Sequence, residues 1–366
     1  MSAKNGREAL PSPASKDGEI DALSRVPAGR AVLRTGLPLA VAMASHALIN
    51  LVDLALVGRL GKGAAAAAHV ASVVNFVPMI VGNSISVAAM AVLSQWIGSG
   101  DRERAREFAR RSLWFMLVCG TAVSVATALP AAPCIDSIGS EGAVRTDAIH
   151  YLVVSNLGCL PMFLLMQTTA IMRAAGETVA PLVVLLAANL LNLVLDVVLL
   201  FGWDAVGIDA IGVVGAAYAT VAARTVAALL SLWWLFRVRH RFSLSGVEPR
   251  RTRMPVAVPL LRGAWPQVVQ IGLRAALAWL LTALVQRRSG DDGTAALSVT
   301  TRLDTLVLFS ALGFASAATT IAGRAVARGE VARARSVGWH AGIQALLFGG
   351  TIVFVFQHFA EPLLRL

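Results

Sequence analysis

Apolar residues fall into nine long runs along this chain, at approximately 35–57, 70–95, 112–133, 148–171, 179–202, 210–236, 264–286, 294–322 and 337–358. Each is long enough for a helix to cross about 30 Å of hydrocarbon at 1.5 Å per residue. None alternates strictly between polar and apolar positions, the mark of a membrane barrel, so the runs predict helices whose backbone groups are satisfied internally. The fold class read from this pattern is all-α, a polytopic membrane protein with about nine transmembrane helices.

Composition strengthens that reading. Of the 366 residues, 57% are hydrophobic and 14% charged, where soluble domains carry about a quarter charged residues. A net charge of +11 would point to nucleic acid in a soluble protein. Here the arginines crowd into short loops between apolar runs, so they set topology and no nucleic-acid partner is expected. Arg102, Arg104, Arg106, Arg110 and Arg111 follow the second run, Arg173 the fourth, Arg237, Arg239 and Arg241 the sixth, and Arg324, Arg328, Arg333 and Arg335 the eighth. The odd loops are poorer in basic residues or balanced by acids, as with Arg287, Arg288, Asp291 and Asp292 after the seventh. The expected placement is a multi-pass protein of the cell (inner) membrane with a cytoplasmic N-terminus. Residues 1–33 read as a disordered cytoplasmic tail without the apolar core of a cleavable signal. Cys119, Cys134 and Cys159 have no metal-ligand spacing, and Cys119 and Cys159 lie inside apolar runs.

The chain repeats itself. "SGDRERARE" at 99–107 corresponds to "RGEVARARS" at 328–336, and "TGLPLAV" at 35–41 to "GAWPQVV" at 263–269, with offsets near 228. An even number of helices separates the copies, so the repeat is parallel, about an axis along the membrane normal. The basic, proline-bearing stretch 238–262 is the natural seam. It gives a first six-helix bundle at 34–237, a cytoplasmic linker at 238–262, and a second bundle at 263–366 that is incomplete, with three helices.

Acids inside membrane helices are costly and need a reason, about 2.5–3.5 kcal/mol each on insertion scales. Asp53 in the first span and Asp196 in the fifth stand out, with Asn192 one turn before Asp196 and Thr220 in the sixth span. Asp53 lies about 6 Å, Asp196 about 9 Å and Thr220 about 15 Å from the outer end of its span, at depths that can converge. Two carboxylates with amide and hydroxyl oxygens suit a hard cation or a shared proton. Both acids are also near enough to the outer interface to reach headgroup water, so the residues alone leave the two readings open. His46 lies seven residues before Asp53 on nearly the same face, a candidate relay or a helix–helix hydrogen bond. Asn50, Gln270 and Arg274 are candidate cleft-lining residues, with Arg274 paired to an acid or facing water.

Five stretches in order, "NLVDLALVGRLG" (50–61), "QWIGSGDRERARE" (95–107), "MRAAGETVAP" (172–181), "NLLNLVLDVVLLFG" (189–202) and "GVVGAAYAT" (212–220), resemble the multidrug and toxin extrusion (MATE) family of transporters. The resemblance implies two six-helix bundles and secondary active efflux of organic compounds by H⁺ or Na⁺ antiport, with no cofactor beyond the coupling ion. It implies small amphipathic or cationic organic substrates met in the lipid bilayer. Asp53, Asn192, Asp196 and Thr220 match the positions that form the first-bundle cation or proton-coupling site in the archaeal and related bacterial branch, with Na⁺ a candidate occupant. Pro38 matches the proline at which the first helix of that branch bends, a hinge that a proline's freed carbonyl makes physically reasonable. The other branch places its key acid in the seventh helix, where this chain has Gln267, Gln270 and Arg274 and no carboxylate. The family has about twelve helices, so this chain reads as a truncated member. Alternatives are a lipid-linked precursor flippase, or an inactive truncated transporter remnant. An enzyme is not expected, since no nucleophile–base pair, metal cluster or phosphate loop appears.

Overall fold

The computed structural model describes residues 26–137, 142–203, 207–237, 244 and 255–358. Ten helices follow one another: α1 Ala28–Arg59, α2 Lys62–Gly98, α3 Arg102–Ala128, α4 Ala131–Ser137, α5 Gly142–Leu157, α6 Cys159–Ala174, α7 Val179–Phe201, α8 Val213–Arg237, α9 Ala257–Ala327 and α10 Val331–His358. Among the described residues seven stretches are long and apolar enough to cross a bilayer, and the bent pair α5–α6 makes an eighth. The expected tail at 1–33 lies outside the described residues as far as residue 25, and from Ala28 it is already α1. Most of the expected linker, 238–243 and 245–254, also lies outside them.

The fourth expected span is not one straight rod. α5 and α6 meet at a 40° bend at Gly158, where an added Cβ would run into the Val221 side chain of α8. The close approach of α8 excludes any side chain there, and a glycine is a common point for a helix to bend.

The seventh and eighth expected spans are joined in a single assigned helix, α9. The loop expected after residue 286, with Arg287 and Arg288, therefore lies inside α9. A straight helix would put Gly263 and Gly323 about 90 Å apart, yet Gly263 packs on Ala88 and Gly323 on Ser94, both of α2. Arg274 and Asp304, thirty residues apart, also form an ion pair. So α9 doubles back on itself as two antiparallel arms.

The repeat is visible in the helix ends. Gly100 and Gly329 both take positive φ, 82° and 79°, the left-handed cap that closes a helix after its last turn. The acid after Gly100 then starts the next helix: the Asp101 carboxylate accepts the Arg104 amide at 3.0 Å. Pro38 and Pro266 lie inside α1 and α9 at equivalent places.

α2, α3 and α6 share the largest core, filled by Met90, Leu93, Phe108, Met116, Phe163 and Ile171. Buried polar bonds tie these helices together, with Gln167 donating to Ser112 at 2.8 Å and Thr168 meeting Ser231 of α8 at 2.7 Å. Outward faces carry Trp114, Val118, Leu190, Val194 and Leu229, all exposed, as a lipid-facing surface requires.

The bundles meet where α9 and α10 lie against α1 and α2. A Cβ on Gly313 would collide with the backbone of Ala40, and one on Gly36 would lie 2.7 Å from Phe314 Cδ1. The stretch of α1 around Pro38 is thus in backbone contact with the second bundle. At the end carrying the basic loops, buried Arg324 donates to the Ala174 carbonyl at 2.6 Å, and Thr320 donates to the Arg173 carbonyl at 3.2 Å. Gly98 allows this approach, since its Cβ would fall 2.6 Å from Arg324 Cα.

Candidate functional site

α7 builds one wall of the site. Asn189, Asn192 and Asp196 recur at i, i+3 and i+7, one face of a helix, while Leu190, Val194 and Val197 on the remaining surface are exposed. The amphipathic pattern therefore turns the polar stripe inward, leaving Asn189 8% and Asp196 0% exposed. α8 brings Thr220, whose hydroxyl accepts from the Asn192 amide at 3.5 Å, the long limit of such a bond. α1 brings His46, whose Nδ1 lies 3.2 Å from Asn189 Oδ1, and half-buried Asp53 two turns further on. The structure joins Asn192 to Thr220 and places Asp53 and Asp196 on the packed helices α1 and α7 of the first bundle.

The state of the carboxyl groups defines what this arrangement can do. Asp53 Oδ1 and both oxygens of Asp196 are buried and accept no hydrogen bond. A carboxylate out of water and without a donor is strongly destabilising. Water, a proton or a cation can satisfy such a group. Asn192 and Thr220 add an amide and a hydroxyl oxygen at the same level. Carboxylate, amide and hydroxyl oxygens are donors that suit a hard cation or a shared proton.

His46 makes the helix–helix hydrogen bond weighed for it, to Asn189 across 143 residues. Asn50 and Gln270 are exposed, and no hydrogen bond among the described residues joins them to the acids. Arg274 pairs with Asp304 of the other arm of α9, both side chains about half exposed (48% and 59%). It belongs to the second bundle's own hairpin and not to the acid cluster.

Three residues near the acids escaped the sequence reading of the site. Asn189 shares the face of Asp196 seven residues away, and that spacing could have found it. Tyr151 on α5 and Arg224 on α8 lie within electrostatic reach of the acids. Arg224 follows Thr220 by one helical turn, which is a signal; Tyr151 had none.

The family model MatE matches residues 38–198 and 266–366. Its two segments begin on Pro38 and Pro266, 266 − 38 = 228 residues apart, the offset of the internal repeat. A probable multidrug resistance protein NorM of Thermotoga maritima is 27% identical over 323 residues, covering 87% of this chain and 68% of that protein. An FAD transporter of Shewanella oneidensis is 24% identical over 359 residues, covering 94% and 75%. Among solved structures, a multidrug resistance MATE family transporter of the MOP superfamily in its outward-facing conformation superposes with a TM-score of 0.85 at 24% identity, covering 93% of this chain and 74% of that one. A MOP superfamily transporter from Pyrococcus furiosus, described as having reverse polarity in its binding pocket, gives 0.79 at 24%, covering 91% and 75%.

Proposed function

The chain belongs to the MatE family, and on that premise we propose that it exports small amphipathic or cationic organic compounds in exchange for inward H⁺ or Na⁺, through the acid pair Asp53 and Asp196. The observation that carries this reading is Asp196, fully buried with both carboxylate oxygens unpartnered. A group in that state has a strong thermodynamic demand for a cation, and the demand is the coupling device. Asp53 stands on α1, Asp196 on α7 and Thr220 on α8. A cation bound among them favours the packing in which these three helices converge, and its loss favours another. The His46–Asn189 bond transmits the change between α1 and α7, and Pro38 gives α1 a place to bend.

The basic loops support a cytoplasmic N-terminus in an inner membrane. The acid-bearing interior favours cationic cargo over the pyrophosphate head group that a lipid-linked precursor would present. The test is export of a fluorescent cationic dye from efflux-deficient cells expressing the protein from its own gene. Asp53→Asn and Asp196→Asn are each expected to cut export at least about tenfold, the scale of one lost interaction of about 1.4 kcal/mol. Wild-type export by either variant would defeat the assignment.

A further inference from the structure

At the end carrying the basic loops, the two bundles touch where the ends of α2 and α9 meet. In that stretch the repeat runs at an offset of 229, as from Ser99 to Arg328. A Cβ on Gly323 would lie 2.9 Å from Ser94 Cβ, and one on Gly98 would lie 3.1 Å from Ala327 Cβ. Ser94 and Gly323 are copies of one another at that offset, and so are Gly98 and Ala327. The repeat axis therefore passes between these helix ends, and small residues on both sides bring the backbones together. One pair of copies breaks the symmetry. Gln95 is exposed, whereas its copy Arg324 is buried and reaches across the seam to α6.

Arg324 meets α6 at its C-terminus. The closing turn there gives the Ile171, Met172 and Arg173 carbonyls the amides of Ala175, Glu177 and Gly176. The Ala174 carbonyl is left over, at the negative end of the helix dipole, and Arg324 Nη2 donates to it at 2.6 Å. Gly176 makes room, since a Cβ on it would lie 2.9 Å from Arg324 Nη2. A guanidinium thus caps α6, but the cap comes from the other bundle. Thr320, one turn earlier on α9, adds its bond to the Arg173 carbonyl. Gln344 and Arg333 of α10 also donate to the carbonyls of Gly29 and Val26, at 2.7 and 2.9 Å. Those two bonds are part-buried, so water replaces them readily when helices part. The Arg324 bond is buried and charge-assisted, and costs most to lose.

We propose that Arg324 is the latch of this seam: its cap on α6 holds the basic-loop end shut, and opening that end to load cargo means withdrawing the guanidinium from Ala174. Withdrawal uncaps α6 and takes a cation from its acceptor, which favours the closed seam. The latch stays releasable because Arg324 Nε is buried without a hydrogen-bond partner among the described residues. Closure leaves that donor unmet, and water meets it once the seam opens. Arg324 thereby biases which end of the protein is open.

This rests on the reading of the chain as an exporter, but its test reads opening and not export, so the two can fail separately. Ser94→Cys places a near-isosteric thiol in the closed seam, where Ser94 is fully buried. The full chain in nanodiscs is treated with a membrane-impermeant maleimide. Labelling at position 94 is followed by mass spectrometry beside that of native Cys159, which lies in the core of the first bundle. Adding Arg324→Met is expected to speed labelling at position 94 at least about tenfold, the scale of one lost charge-assisted bond, with Cys159 still protected. Arg324→Lys keeps a cationic donor and is expected to label more slowly than Arg324→Met. The rate of Ser94→Cys alone, found again with Arg324→Met, overturns the proposal. So does a matching rise at Cys159, the sign of general unfolding, or lysine labelling as fast as methionine. Should Arg324→Met not fold, Arg324→Gln, which installs the residue of the repeat copy, carries the same test. Severalfold faster labelling with Cys159 protected then supports the latch, and an unchanged rate overturns it.

Discussion

The aspartates of this chain sit in opposite circumstances. Asp136, at the end of α4, is exposed and takes a two-pronged hydrogen bond from Arg145, at 2.6 and 3.0 Å. The Arg145 hydrogen bond, helped by its charge, holds the Asp136 carboxyl below the ordinary carboxylate range. A depressed folded value means that any stability from this pair is present above the unfolded value, near pH 4, and fades as pH falls through the folded one. Because both groups are solvated, Asp136→Asn is expected to leave the melting temperature nearly unchanged at pH 7 and to remove what pH sensitivity the pair contributes below pH 4. A drop of many degrees at neutral pH would contradict this. Asp196 has the reverse setting: buried, with no donor. That difference was partly legible beforehand, because an acid inside an apolar run stands out by its cost, and Asp53 and Asp196 were both singled out that way. Asn189 and Tyr151 were not, since what they meet arises from which helices lie beside them. The bond between His46 and Asn189 joins residues 143 apart, and nothing local encodes it.

At the scale of elements, run lengths located the helices well, but the way each helix bends was hidden. The run at 148–171 reads as one span, and only the packing of Val221 against Gly158 breaks it. Gly158→Ala is expected to cost about 1–3 kcal/mol through overpacking, seen as a lower melting temperature in detergent. Val221→Ala makes room for the added methyl, so the double variant is expected to recover most of the loss. An unchanged melting temperature in Gly158→Ala would show that α8 does not press there. The reversal within α9 has the same lesson in another form. Charges at 287–292 suggest a loop, yet those residues are assigned to α9, whose two arms double back on each other. What the residues did reveal was the repeat: Gly100 and Gly329, read from matching motifs, both close a helix in the left-handed conformation.

The whole molecule is two bundles around a seam, and the seam is closed at the end that carries the basic loops. Arg324, Thr320, Gly98 and Ala174 meet there with backbone-level intimacy, while the acids lie toward the other end of α1 and α7. The parallel repeat predicted two bundles. It could not predict that Gly313 and Ala40 would bring α9 against the proline-bearing stretch of α1, because contacts between repeats are not written in either copy. Geometry of this kind lets a change at the acids reach the seam through α1, which carries Asp53 at one end and packs on α9 at the other. The most direct measurement is made on purified protein in liposomes, with a proton or sodium gradient imposed across the membrane and a cationic dye trapped on one side. Dye is expected to move against the ion flow under one of these gradients, to stop when that gradient is dissipated, and to stay still under either gradient with Asp196→Asn. Gradient-driven dye movement that persists in Asp196→Asn, or wild-type movement indifferent to both gradients, would contradict coupling through the acid pair.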